Sequence, residues 1–401
     1  MTDDGSGPGP TRASFLLAAL TEPAPAVLRA LTEVYGSDES LCAERMKLVR
    51  RVLQTHIERF GDEPVRLFRS PGRINLRGMH VDTHGGYLNL MTHHREVVVT
   101  VASSQDGCVT FSNIDSDFAD TVFPLHDENA SFSGHATWLD YITSSGVENR
   151  VATRRGDWSN YVRGAVLRVA LQFPRESIEG FHGVVGSDIP SGAALSSSAA
   201  LCLALISATL SHIGRRVSAE DLIVMAQDAE WYTGSRCGRS DQAAEVLGKR
   251  DSVVNVVLTP FSEVIRRASY TKLGDDVRIL VINSFTKRSI SGMQLVDYTR
   301  NRFAYSMAME IARQECERAG VPPARAERLS TLASLSPSQL DDLGGSHFLY
   351  ALLRRIPEVM SLDDLRERYK LPNLDAAYEQ YFGTVSETLL PTSFSFRGPL
   401  L

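Results

Sequence analysis

The apolar positions of the chain follow two periods. From about residue 25 to 60 they recur every three or four residues, at Leu28, Leu31 and Val34 and then at Met46, Val49, Leu53 and Ile57. This pattern predicts helices with one apolar face. Val65-Arg-Leu-Phe68 reads as a strand running into Ser70-Pro-Gly-Arg73, and Val97-Val-Val-Thr-Val101 and Val109-Thr-Phe111 read as strands divided by the turn Gln105-Asp-Gly107. Helical spacing returns from Trp158 to Leu171, at Tyr161, Val162, Ala165, Val166 and Val169. A strand is predicted at Gly183-Val-Val-Gly186, and further helices over Leu195–Leu210 and Ala219–Trp231.

Paired strands are predicted at Val253–Leu258 and Glu263–Arg266, on either side of Thr259-Pro260. Val277-Arg-Ile-Leu-Val-Ile282 has the unbroken apolarity of a buried strand, and a long helix is predicted from about Leu295 to Ala319. Beyond Pro322 the pattern is helical, with Ser336-Pro337 and Gln339 reading as a capping box and Ser361 starting another helix ahead of Asp363 and Asp364. No internal repeat is present. These elements predict an α+β protein with a flexible tail over residues 1–20, a first lobe over 21–275 and a second over 276–401. The boundary is placed where Leu-Gly-Asp-Asp precedes a fresh strand and helix.

Composition narrows the function classes. The length of 401 residues allows two lobes with sizeable cores, and a net charge of −6 without a long basic run argues against nucleic acid or an anionic membrane as partner. Five scattered cysteines without a CxxC spacing suit reduced thiols in a cytoplasmic protein rather than a disulfide frame or a zinc site. The N-terminus lacks the charged and apolar regions of a signal peptide. The most apolar window, Ala193 to Leu210, carries four serines and a threonine, which fits a buried helix better than a membrane span.

Three segments carry candidate chemistry. Asp188-Ile-Pro-Ser-Gly-Ala-Ala-Leu-Ser-Ser-Ser-Ala199 sets small residues before an apolar helix. That order exposes backbone N–H groups at a helix N-terminus, where a polyphosphate fits. Its serine hydroxyls could reach phosphate or a hard cation, although serine at a helix start is also an ordinary cap, and no Walker A lysine is present.

Ser70-Pro-Gly-Arg-Ile-Asn-Leu-Arg-Gly-Met-His-Val-Asp-Thr-His-Gly-Gly86 gathers Arg73, Arg77, His80, Asp82 and His84 among glycines. This suits either a small-molecule site or a solvated loop, and His84, His93 and His94 read more simply as packed or surface residues. In Glu230-Trp-Tyr-Thr-Gly-Ser-Arg-Cys-Gly-Arg-Ser-Asp-Gln242 a helix ends and a short one begins. Asp241 then stands at a helix start, where the dipole favours a carboxylate, as a metal ligand, a base or simply a cap.

Together these segments resemble the GHMP kinase family and, within it, the galactokinase-like branch. Pro71–Tyr87 is similar to the signature GRxNLxGEHxDYxGG, Asp188–Ala199 to the phosphate loop PxGxGLSSSA, and Cys237–Gln242 to CGxxDQ. Trp158–Gly164 is similar to WxNYVxG, and Tyr298-Thr-Arg-Asn-Arg302 to YxxRR. The resemblance runs from about Val65 to Arg313 and implies a two-lobed fold, with a ribosomal protein S5 domain 2-like N-terminal lobe and a ferredoxin-like α/β C-terminal lobe.

It also implies ATP-dependent phosphorylation of a monosaccharide at its anomeric hydroxyl. Asp241 would be the base, and Arg73 would stabilise the transferring phosphoryl. His80, Asp82 and Tyr298 would bind the sugar, and Gly192, Ala193, Ala194, Leu195, Ser196, Ser197 and Ser198 would wrap the ATP phosphates. Ser198 and Glu230 would hold Mg²⁺.

Departures from the family pattern bear on specificity. Met79 stands in place of a glutamate that contacts a sugar hydroxyl, and Thr83-His84 replaces Tyr-Asn. Both point towards a different or modified sugar as an alternative to galactose. Ala194 replaces the second loop glycine, which predicts that this residue avoids positive φ. The family's third Gly-rich motif does not appear, so the C-terminal lobe is expected to be incomplete. That leaves a sugar- and ATP-binding regulator with weak catalysis as the other alternative. Trp158 is a candidate for the adenine pocket.

Overall fold

The structure is a computed structural model. It describes residues 9–78, 81–125, 134–176, 178–258, 265–274, 276–282, 293–382 and 390–396. The chain divides into two units. The first comprises Met1–Asn75, Leu90–Val254 and Thr271–Val281, and the second Leu76–Asn89, Asn255–Tyr270 and Ile282–Leu401. A single cut near residue 275 does not reproduce this division. Two β-excursions leave the first unit and return to it, and no composition shift marks a chain that crosses and comes back.

In the first unit, β1 (Thr11–Arg12), β2 (Pro64–Arg77), β3 (Tyr87–Ser103), β6 (Phe181–Ser187), β4 (Cys108–Asn113) and β5 (Thr121–Pro124) lie in the order β1-β2-β3-β6-β4-β5. β3 and β4 are consecutive but do not form a hairpin with each other. β6 lies between them, antiparallel to β3 with Val99 opposite Val185 and parallel to β4 with Phe111 opposite Gly183. The unbroken apolar run of β3 reflects burial on both faces. Val97, Val99 and Val101 pack with Phe111, Phe181 and three helices: α6 (Ser159–Gln172), α7 (Ser197–His212) and α8 (Ala219–Trp231). On the other face, Val98 and Ala102 meet Val52 and Leu53 of α3 (Glu39–Phe60).

Helices α1 (Ala13–Thr21) and α2 (Pro25–Tyr35) precede α3, and α4 (Trp138–Ile142) and α5 (Ser145–Thr153) precede α6. The flexible tail expected over residues 1–20 is not found from Thr11 onwards. β1 pairs with β2, and α1 begins on the fully buried Ala13, while residues 1–8 lie outside the described residues. Trp158 is core: it is buried, and its indole N–H donates to Ala119 O at 2.7 Å, so it does not line an adenine pocket.

The second unit is dominated by α10 (Met293–Arg318). Its Phe303, Met307 and Ile311 pack with Leu352 of α11 (Gly345–Arg355), Leu365 of α12 (Leu362–Arg368) and Phe382 of α13 (Leu374–Phe382). β9 (Val359–Met360) and β10 (Phe394–Ser395) form a two-stranded sheet beside them. β7 (Ser252–Leu258) and β8 (Ile265–Lys272) pair as expected, and Thr259-Pro260 between them lies outside the described residues.

Two local expectations change. Residues 277–282 form no strand, and Leu280 and Ile282 are 81% and 78% exposed, because no described strand offers the run a ladder to join. Ser336 makes no side-chain cap on the short 3₁₀ turn Pro337–Gln339, where the Gln339 N–H donates to the Ser336 carbonyl at 2.9 Å instead, whereas Ser361 and Asp364 form a complete capping box.

Candidate active site

β6 delivers the chain to the serine loop, and Asp188 anchors its start. The Asp188 carboxylate accepts from the Glu96 N–H at 2.9 Å and pairs with Arg45 at 2.6 Å. The loop then turns through Gly192, Ala194 and Ser196, at φ of +71°, +57° and +65°. Such alternation turns successive N–H groups towards a common concavity. It also overturns the expectation that Ala194 avoids positive φ: the alanine adopts the left-handed conformation of the glycine it replaces, at a cost of about 1–2 kcal/mol. α7 starts directly behind the loop and has no side-chain cap, which leaves its first-turn N–H groups and the positive end of its dipole facing the loop.

β2 does not turn at Pro71-Gly72 but runs on through Arg77, contrary to the turn-rich reading of this segment. A glycine is needed at 72. A Cβ there would lie 2.6 Å from Leu195 O and 2.5 Å from the His93 ring, so only a bare backbone passes this close to the loop. The Arg73 N–H donates to Leu195 O at 3.2 Å and fixes the register.

The Arg73 side chain then bridges two elements. Its Nη1 donates to Ala194 O at 2.5 Å, while Nε and Nη2 lie 2.8 and 2.6 Å from Asp241 Oδ1. Asp241 sits in the first turn of α9 (Ser240–Leu247), and its other oxygen accepts from the Ser196 hydroxyl. Both the arginine and the helix dipole place positive charge beside this carboxylate.

A second carboxylate lies behind the serine loop. Glu230, at the end of α8, accepts from Ser198 Oγ at 2.6 Å and from Gln242 Nε2 at 2.8 Å. Burial, and after it the charge of Asp241, pushes the Glu230 carboxyl above its ordinary range. Serine hydroxyl and carboxylate are hard oxygen donors that fit a divalent cation such as Mg²⁺.

Sequence reasoning overlooked Glu245, one turn after Asp241 on α9. It is buried, and neither carboxylate oxygen has a hydrogen-bond partner among the described residues. Burial, then the charge of Asp241, pushes its carboxyl well up. The i, i+4 spacing from Asp241 was the available signal. Gln242, quoted within its motif but given no role, turns out to brace Glu230.

The residues assigned to sugar recognition belong to the second unit. His80 and Met79 lie outside the described residues. Asp82 is buried on the 3₁₀ turn Asp82–His84, and Tyr298 is carried by α10. His84 is a packed residue, as its simpler reading held: Nε2 is 3.2 Å from Ser306 Oγ, and the ring stacks on Tyr305.

The GHMP kinases N terminal domain matches residues 160–249, and the galactokinase galactose-binding signature matches residues 54–103. The chain is thus similar to GHMP kinases over these segments and, within them, to galactokinases.

The galactokinase of Roseiflexus sp. (strain RS-1) is 32% identical over 245 residues, 61% of this chain and 54% of that protein. The galactokinase of Bacillus subtilis (strain 168) is 26% identical over 289 residues, 70% of this chain and 63% of that protein. The crystal structure of Lactococcus lactis galactokinase complexed with galactose superposes with a TM-score of 0.51 at 23% identity, covering 75% of this chain and 68% of that one, and shows a shared fold. The chain spans about half the length of the curated relatives it matches. No single helix among the described residues is long and apolar enough to cross a membrane.

Proposed function

We propose that the chain transfers the γ-phosphoryl group of ATP to the anomeric hydroxyl of a monosaccharide, as a galactokinase-like sugar 1-kinase. The observation that carries this reading is the Arg73–Asp241–Ser196 constellation set against an uncapped helix N-terminus. In this reading Asp241 accepts the hydroxyl proton. Arg73 holds that carboxylate in place and adds positive charge where the phosphoryl passes. The N–H groups of residues 192–198 receive the phosphates, so that the protein contributes positioning and electrostatics rather than covalent chemistry.

Mg²⁺, when bound by Ser198 and Glu230, would offset the phosphate charge. His80, Asp82 and Tyr298 are the proposed sugar contacts. A reducing, cytoplasmic setting fits five free cysteines.

Release of ADP across a panel of free sugars, with Asp241→Ala as control, tests the proposal. Turnover on galactose or on another monosaccharide is expected. Asp241→Ala should lower kcat by about 10²–10⁴ with nucleotide affinity nearly retained. Equal loss of ATP binding would remove Asp241 from the role of base. Sugar binding without any turnover would instead favour a regulator.

A further inference from the structure

The geometry points to a transition-metal site, of the kind that takes Zn²⁺ or Co²⁺, formed by His56, Glu63 and His182 in the first unit and independent of the proposed kinase chemistry. His56 lies near the end of α3, Glu63 in the turn that leads to β2, and His182 on β6. Although His182 is distant in sequence from the other two, the three bring one ligand atom each to within 4.8 Å of one another. His56 Nε2 is 3.2 Å from Glu63 Oε1, and His182 Nε2 meets the same oxygen. Two ring nitrogens and one carboxylate oxygen thus converge on a point. In a tetrahedral zinc site with bonds of about 2.0–2.1 Å, ligand atoms stand roughly 3.3 Å apart, close to the His56–Glu63 separation, while the direct His182–Glu63 hydrogen bond would give way to the ion.

Both rings are held in orientation. His56 Nδ1 is 3.0 Å from the Thr100 hydroxyl, which itself accepts from the Val184 N–H at 3.1 Å and lies 3.4 Å from Val184 O. With its proton directed to Val184 O, that hydroxyl accepts from His56 Nδ1–H. The lone pair of Nε2 then faces the Glu63 oxygen, and a cation between them satisfies both. Phe60 stacks on His182 with centroids 4.3 Å apart and fixes the second ring.

The cluster is not sealed. The side chains of Glu63 and His182 are 27% and 16% exposed, and Glu63 borders a cavity of about 240 Å³ with Phe68, Ala102 and His212. A water ligand and an exchanging metal therefore have a path. Two imidazoles with one carboxylate suit Zn²⁺ or Co²⁺ better than Mg²⁺. Because its ligands come from α3, the α3–β2 turn and β6, a bound ion would tie the helix to the sheet.

The test uses the full chain stripped with chelator and titrated with ZnCl₂ or CoCl₂ in the absence of nucleotide. One equivalent of Zn²⁺ should bind and raise Tm. His182→Ala and Glu63→Gln, at the partly exposed positions, should each weaken binding by about 100-fold or more, and Thr100→Val by about 10- to 100-fold through loss of ring orientation. Circular dichroism checks that the variants fold. If they do not, the wild-type Co²⁺ spectrum decides: a strong low-symmetry d–d band supports the site, and an unchanged aqueous spectrum overturns it. Zn²⁺ uptake that is absent in the wild type, or equal in wild type and folded variants, also overturns it.

Discussion

At the scale of single residues, the carboxylates around the serine loop do different work because their surroundings differ. Asp241 faces a guanidinium and a helix N-terminus, and Glu230 is braced by a hydroxyl and an amide, but Glu245 is buried with no hydrogen-bond donor among the described residues. Its folded-state pKa is raised above the unfolded value. The stability this contributes is present below about pH 4.5 and is lost as pH rises through the folded pKa. Glu245→Gln should therefore be more stable than the wild type at pH 7, with an advantage that widens as pH rises above the ordinary carboxylate range. Urea denaturation of both proteins at several pH values measures this. A constant difference across pH would show that Glu245 is not held against ionisation. Asp241, Glu230 and Ser198 were legible in the sequence because their motifs are short and local. Glu245 was not, since its i, i+4 spacing from Asp241 places it on one face of α9 with that residue but says nothing of its burial without a partner.

At the scale of elements, the limits of pattern reading are those of sheet topology. The strands at Val97, Val109 and Gly183 were all recognisable, yet alternation cannot tell that β6 inserts between β3 and β4, because that order is set by a crossover through α6. The same helix shows what its sequence signature protects. Gly164 of α6 lies against α8, and a Cβ there would stand 2.3 Å from Ala229 O and 2.9 Å from Tyr232 Cβ, both unable to yield without moving the helix that carries Glu230. Gly164→Ala relieves the low helix propensity of glycine by about 1 kcal/mol, but overpacking against backbone costs typically 1–3 kcal/mol. The variant should lose stability on balance. It should also lose affinity for nucleotide with Mg²⁺, because Glu230 is displaced from Ser198. Thermal unfolding and nucleotide titration read the two effects, and a variant stabilised by the substitution would show that α6 and α8 have room to spare.

At the scale of the whole molecule, the division into two units was anticipated, but their boundaries were not, and the exposed run 277–282 was read as core from its apolarity alone. Among the described residues, His84 and His93 are perturbed enough to bear on acid stability. Burial first, then Arg302, lowers His84 in the second unit to about 4, and burial first, then His94, lowers His93 in the first unit to about 4. Both are neutral in the folded chain, while the unfolded chain takes up their protons below about pH 6.5. The stability they contribute is complete above pH 6.5 and is lost as pH falls towards 4, with an upper bound of about 3 kcal/mol for each. Between pH 7 and pH 5 each should account for a loss of about 2 kcal/mol. His84→Gln and His93→Gln should each flatten the dependence of unfolding free energy on pH by about 0.7 proton on average over this range. If denaturation resolves two transitions, His84→Gln should act on that of the second unit and His93→Gln on that of the first. If it shows a single transition, both effects should fall on it. Wild-type acid sensitivity retained in the double variant would assign the loss to other groups and leave the two histidines without a part in it.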